Sequence, residues 1–295
     1  MRLSFPQKTF HASRSWVISS ALLMIALSCA KPSAAEETKT QSASESSATV
    51  QADSKSSLTG SLSLISDYRF RGISQTWQGA AVQGAVELAL PKGFYVGTSL
   101  SNVSTNSYGR GQGLEHDIYG GWRGELVPDW LLDAGLLQYR YPGARLGASD
   151  GSSKRFDTTE LYLGATHGGL SLKWSVALTP YFGLGESTAD SAFATALRPA
   201  GSSRGSQYLD LNYQHPLGDL ATLGLHGGYT WVRNYSDVSY ADWRISLSRA
   251  WGAWTASLAY AGTSADARYY SAVNSRGQWR DLARSGWLLG LSAGF

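Results

Sequence analysis

From Leu58 to Phe295, apolar side chains alternate with small or polar ones at a period of two, and no other feature constrains the fold as tightly. Successive side chains of an extended strand point to opposite faces, so this pattern describes strands with one apolar face. Within 170–182, Leu170, Leu172, Trp174, Val176, Leu178 and Phe182 share one face, against Ser171, Lys173, Ser175, Ala177, Thr179 and Tyr181. Near the end, Trp287, Leu289, Leu291, Ala293 and Phe295 oppose Leu288, Gly290, Ser292 and Gly294. The alternation predicts strands over 59–70, 80–90, 94–102, 115–126, 130–141, 159–167, 170–182, 207–215, 222–232, 241–249, 253–262 and 285–295.

The connections alternate as well. Every second junction is tight: Pro91-Lys92-Gly93, Val127-Pro128-Asp129, Gly168-Gly169, His215 to Ala221, and Ala250 to Gly252. The intervening ones, 71–79, 103–114, 142–158, 183–206, 233–240 and 263–284, are mostly longer and rich in Gly, Ser, Asp and Arg. Sorting short turns to one side and long loops to the other is the layout of bacterial outer-membrane barrels. Alternation alone would also suit a soluble lectin-like or sandwich fold. That fold has no reason to sort its loops.

Aromatic residues provide an independent sign. Phe94, Trp130, Trp254 and Phe295 fall at the short-turn ends of the predicted strands, and Phe70, Phe182, Trp231, Trp243, Tyr260 and Trp287 at the long-loop ends. Between them the outward positions hold Leu, Val, Ile and Ala. Two aromatic girdles around an aliphatic band are what a membrane barrel presents to its two interfaces. No segment after the N-terminal region is an apolar run of helix-spanning length. The predicted fold is therefore an all-β, transmembrane antiparallel barrel of about twelve strands, with short periplasmic turns and long extracellular loops.

The first residues follow different rules. Arg2, Lys8 and Arg14 precede an apolar run from Trp16 to Leu27, and Ser33-Ala34-Ala35 offers small residues before Glu36. This layout predicts a signal peptide over 1–35. Cys29, in Ala26-Leu27-Ser28-Cys29, leaves open a lipoprotein reading with the lipid on that cysteine. Residues 36–58 are rich in Ser, Thr, Ala, Glu and Gln, and predict a disordered leader before a barrel over 59–295. Of 25 Lys and Arg, four (Arg2, Lys8, Arg14 and Lys31) leave with the signal, and the remaining 21 face 22 acids. A near-neutral chain gives no case for nucleic-acid binding.

The string Ser66-Asp67-Tyr68-Arg69-Phe70-Arg71-Gly72-Ile73-Ser74-Gln75-Thr76 resembles the TorF-type porins, a proteobacterial family of outer-membrane proteins without an assigned function. Gly93-Phe94-Tyr95-Val96-Gly97, Ser101-Asn102-Val103, Asp117 to Trp122, Tyr139 to Gly143, Thr159 to Tyr162 and Tyr208 to Tyr213 extend the likeness over roughly residues 59–295. The resemblance implies an outer-membrane barrel and a porin, and names no solute.

The parity that puts the aliphatic band outside puts chemistry inside. Asp67, Arg69, Arg71, Glu87, Asp117, Arg123, Glu125, Asp133, Glu160, Lys173, Asp210, Asp242 and Arg244 share the inner face with Tyr119, Tyr139, Tyr162, Tyr181, Tyr208, Asn212, Gln214 and His226. Charges on the lipid side would cost about 2–4 kcal/mol each near the midplane, so these line the lumen. They form either a polar pore whose charged rings bias ion passage or an interior closed by Arg–carboxylate pairs. Asp67, Arg69 and Arg71 are the sharpest cluster, read as a constriction at the outer mouth or as braces between strands. His226, flanked by Leu225 and Gly227, has no serine nearby in sequence as a hydrolase would need, and no spaced His/Asp/Glu cluster suggests a metal or cofactor. The expected function is a passive channel for small hydrophilic solutes. A non-conducting structural or adhesive barrel is the alternative, with a lipid hydrolase behind it. Expected partners are outer-membrane lipid and lipopolysaccharide, the outer-membrane assembly machinery and the solutes.

Overall fold

A computed structural model describes residues 56–107 and 111–295. The predicted signal peptide and most of the predicted leader lie outside the described residues. Twelve strands form a closed barrel. They are β1 (Ser57–Ile65), β2 (Ala81–Ala89), β3 (Phe94–Asn102), β4 (Leu114–Val127), β5 (Trp130–Arg140), β6 (Thr158–His167), β7 (Leu170–Ala177), β8 (Gln207–Leu217), β9 (Ala221–Trp231), β10 (Tyr240–Trp251), β11 (Trp254–Thr263) and β12 (Gly286–Gly294). Each pairs antiparallel with its sequence neighbours. The ring closes through β1 and β12, with Ser61 opposite Gly294 and Ile65 opposite Gly290. Phe295 and Gly60 exchange backbone hydrogen bonds at 2.9 and 3.0 Å beyond the last ladder pair. Closure leaves no strand edge unpaired, which a barrel in lipid requires.

Ten strands match the alternation to within two residues at either end. The other two are corrections. β1 begins at Ser57, inside the predicted leader, and ends at Ile65 rather than 70, while β7 ends at Ala177 rather than 182. In both, residues past the strand end keep the apolar–polar rhythm but leave the barrel wall. Arg69–Phe70 pairs with Ile73–Ser74 in a two-residue hairpin, and Tyr181–Gly183 forms a 3-10 turn. Phe70 and Phe182 therefore do not belong to the outer aromatic girdle. Both turn inward and pack with Tyr139, Tyr141 and Phe156, Phe70 meeting Tyr139 edge-on at 5.3 Å.

The remaining girdle residues lie on the outer surface. Phe94, Trp130, Trp254 and Phe295 are exposed at the short-turn end, as are Trp231, Trp243 and Trp287 at the long-loop end. Tyr260 bridges Trp243 and Trp287, with centroids 5.6 and 5.0 Å away. Between the belts, Leu64, Val82, Val96, Leu136, Leu163, Leu172, Leu211, Ile245, Leu258 and Leu289 are all exposed, Leu289 at 61 %. A contiguous exposed apolar band of this extent is the kind of surface that membrane barrels present to lipid. Among the described residues no helix is long and apolar enough to cross a membrane, so any crossing is made by strands.

The two ends differ. The short turns use positive φ where the chain must reverse tightly, at Lys92 and Gly93 and again at Asp129. The long connections fold over and into the barrel mouth. Their buried residues pack with strand residues in three clusters, one around Tyr68, Phe70 and Tyr141 with Tyr139 of β5, a second around Tyr181, Leu184, Val232 and Val238, and a third around Ile73 and Leu282 with Tyr240 of β10. Burial pushes the Tyr181 and Tyr270 hydroxyls above their ordinary range, so the plug presents them neutral.

Candidate functional site

Among the described residues, buried charge gathers on the inner face of the barrel and in the connections at its mouth. Glu87, Asp117, Tyr119, Arg123, Glu160, Asp210 and Asp242 are buried on the inner face, with Asp133, Lys173, His226 and Arg244 partly buried beside them. Tyrosines fill much of the remaining space by lying over glycines of neighbouring strands. A Cβ at Gly97 would collide with the Tyr119 ring, and one at Gly135 with the Tyr162 hydroxyl.

Among the described residues, three charge networks line the inner face. Arg123 of β4 reaches Glu87 of β2 at 3.1 Å and Asp133 of β5 at 3.2 Å, with its guanidinium 4.3 Å from the Tyr95 ring centroid. Tyr95 donates to Asp133 at 2.5 Å and shares a hydrogen bond with Tyr162. Tyr95 is missing from the inner face read from the sequence, and its place next to outward Phe94 is the signal that could have found it.

In the second network, His226 of β9 lies between two carboxylates, with Nδ1 3.1 Å from Asp210 and Nε2 2.7 Å from Asp242. Asn212 donates to Asp210 at 2.5 Å and Tyr208 donates to Asp242 at 3.2 Å. Register places Lys173 opposite Asp210 and Arg244 opposite His226, so two further cations adjoin the acid pair.

The third network joins the plug to the wall. Arg71 donates through Nη2 to both Glu160 oxygens, at 2.9 and 2.7 Å, and lies 4.2 Å from the Tyr208 ring centroid and 4.8 Å from that of Phe70. It sits at φ 47°, in a turn. Asp67, Arg69 and Arg71 thus do not line successive levels of one strand, because β1 has already ended. Asp67 accepts from Arg69 at 2.6 Å, Ser74 at 2.6 Å and Thr76 at 3.0 Å. Arg69 also donates to the backbone carbonyls of Gly72, Leu282 and Arg284. This pair staples connection 66–80 to connection 264–285. Glu125 is also displaced from the expected lining. It is exposed beside the bulge at 125–127 and accepts from the Asp129 N–H at 3.0 Å, capping the short turn.

Among the described residues, both His226 nitrogens face acceptors, Asp210 or Asn212 on one side and Asp242 on the other. On the outer face Thr98 Oγ1 lies 2.9 Å from His116 Nε2, but its proton goes to the Asp117 backbone carbonyl at 2.8 Å. With the Thr98 proton directed there, His116 Nε2 is placed to donate to Thr98 Oγ1. Among the described residues no group of three or more His, Cys, Asp or Glu could hold a metal ion.

Solved structures with a similar fold include the KdgM porin (10 % identity, TM-score 0.46, covering 80 % of this chain and 99 % of that one). The NanC porin is comparable, at 10 % identity and TM-score 0.44 over 80 % and 99 %. Outer membrane phospholipase A from Escherichia coli follows at 16 % identity and TM-score 0.37 over 80 % and 91 %. No curated protein has a matching sequence. Residues 49–295 match the family described as "Bacterial protein of unknown function (Gcw_chp)", and the chain belongs to that family.

Proposed function

We propose that this protein is an outer-membrane channel of a Gram-negative bacterium, passing small hydrophilic solutes by diffusion through its barrel. The observation that carries this is the contrast between the two faces of one wall. Leu289 is 61 % exposed outside, while Asp210, Asp242, Arg123 and Glu160 lie inside. A solvated lumen within a lipid-facing wall explains both. In this reading the short turns are periplasmic, the long connections are extracellular, and lipopolysaccharide surrounds the outer girdle. The plug formed by those connections is a closed state that must move for solute to pass. The string Ser66 to Thr76 supports placing the chain among the TorF-type porins. The absence of an activated hydroxyl around His226 and His116 supports a non-enzymatic role.

The packing of the mouth favours a second reading, a barrel that does not conduct and serves as a scaffold for its surface loops. Leu184 and Val238 are almost wholly buried there. Planar-bilayer recording of the purified protein decides between them. Discrete conductance steps support the channel. Silence in the wild type and in plug-destabilised variants supports the scaffold. Processing is a separate expectation, tested by N-terminal sequencing: a start at Glu36 fits a cleaved signal peptide, and an acylated Cys29 overturns it.

A further inference from the structure

We propose that Glu115 and Asp117 of β4 form a binding site for a hard divalent cation, calcium in the first instance, at the long-loop end of the lumen. The inference does not depend on whether the barrel conducts. Glu115 and Asp117 are two residues apart on one strand, so they share the inner face roughly 7 Å apart along the chain. Both are deeply buried, at 1 % and 4 % exposure.

Their surroundings set them apart from the other interior acids. Glu87 and Asp133 have Arg123, Glu160 has Arg71, Asp67 has Arg69, and Asp210 and Asp242 have His226. Among the described residues no ion pair reaches Glu115 or Asp117 within 4.0 Å. Only neutral donors do. Tyr68 donates to Glu115 Oε1 at 2.7 Å, the Tyr141 hydroxyl is a second donor to the Glu115 carboxyl, and Ser99 donates to Asp117 Oδ2 at 2.9 Å. Each carboxylate keeps one buried oxygen, Glu115 Oε2 and Asp117 Oδ1, that receives no hydrogen bond from the protein.

Two buried like charges with open acceptors are costly unless something neutralises them. Register brings further oxygens to the same wall, with Ser101 opposite Glu115, Ser99 opposite Asp117, and Gln83 beside Ser101. Gln83 donates to Ser101 at 3.2 Å, which leaves its carbonyl oxygen available as a ligand. A donor set made only of oxygen selects a hard cation. Two carboxylates balance a divalent one, and an irregular set suits calcium better than magnesium, which demands near-ideal octahedral geometry.

The test is calcium binding by the full-length protein, folded in detergent at neutral pH and stripped with chelator, measured by isothermal titration with calcium chloride. The expected result is one equivalent bound by the wild type. Affinity should fall at least tenfold in Glu115→Gln and in Asp117→Asn, with unchanged binding in Arg123→Gln. Heat-modifiable gel migration checks that each variant is folded, and the amide replacements preserve shape. No calcium binding up to millimolar concentration, with both variants folding as well as the wild type, would mean that a proton neutralises the pair and overturns the proposal. Full binding retained in both variants would overturn it by placing the ion elsewhere. The readout is binding in solution, so a protein that binds calcium and passes no current rejects the channel and leaves the site standing.

Discussion

Arg71→Ala is the perturbation that separates a latched plug from a passive one. The guanidinium and the Glu160 carboxylate are 6 % and 3 % exposed and meet at 2.7 Å, so removing the arginine strands a buried charge. Breaking such a pair from one side costs about 3–5 kcal/mol. Glu160 is on the wall and Arg71 is on connection 66–80, so the charge regains water if the connection lifts. The penalty then falls on the docked state alone. At 1.4 kcal/mol per tenfold, the docked-to-lifted ratio should drop by roughly 10²- to 5 × 10³-fold. Planar-bilayer recordings should show a large rise in the conducting fraction. Glu160→Gln, which removes the buried charge instead, should cost less when combined with Arg71→Ala than alone. Urea unfolding in lipid vesicles, followed by tryptophan fluorescence, provides the double-mutant cycle. A coupling below about 0.5 kcal/mol, within the error of additivity, together with wild-type conductance in Arg71→Ala, would refute the latch.

Three further outcomes test the wall, its closure and its charge. Leu289→Arg should lower stability in vesicles by about 2–4 kcal/mol, while Leu289→Phe stays near wild type. Equal costs would show that this face does not meet lipid. Deleting Phe295 removes both backbone bonds to Gly60 and the ring that covers it, so the heat-modifiable folded fraction should fall; an unchanged fraction counts against a role in closure. Arg69 and Arg71, read from the sequence as a constriction or as braces, are both paired with acids, and among the described residues the buried lumen acids without an ion-pair partner are Glu115 and Asp117. Reversal potentials in a salt gradient should therefore indicate cation preference, reduced by Asp117→Asn and unaffected by Arg69→Ala. Anion preference in the wild type would reverse this reading.

The sequence by itself determined the wall. Period-two alternation assigns each strand residue to lipid or lumen, and sorted turn lengths order neighbouring strands into a meander, because both depend on residues close in the chain. Strand number, girdle positions such as Trp243 and Phe94, and the inward parity of Arg123 and Asp210 all followed from that local information. Only the tertiary structure decided where the wall stops and what fills it. The rhythm runs on through Phe70 and Phe182, yet β1 ends at Ile65 and β7 at Ala177, and the backbone reverses through φ 47° at Arg71 and 46° at Phe182. Alternation is a property of extended chain and does not record where hydrogen-bonding partners run out. The pairing of charges was equally hidden, since Arg71 and Glu160 are 89 residues apart and meet only because the ring has closed. Strand register likewise decides that Glu115 and Asp117 face Ser101 and Ser99, with Gln83 beyond, and among the described residues no cation pairs with them.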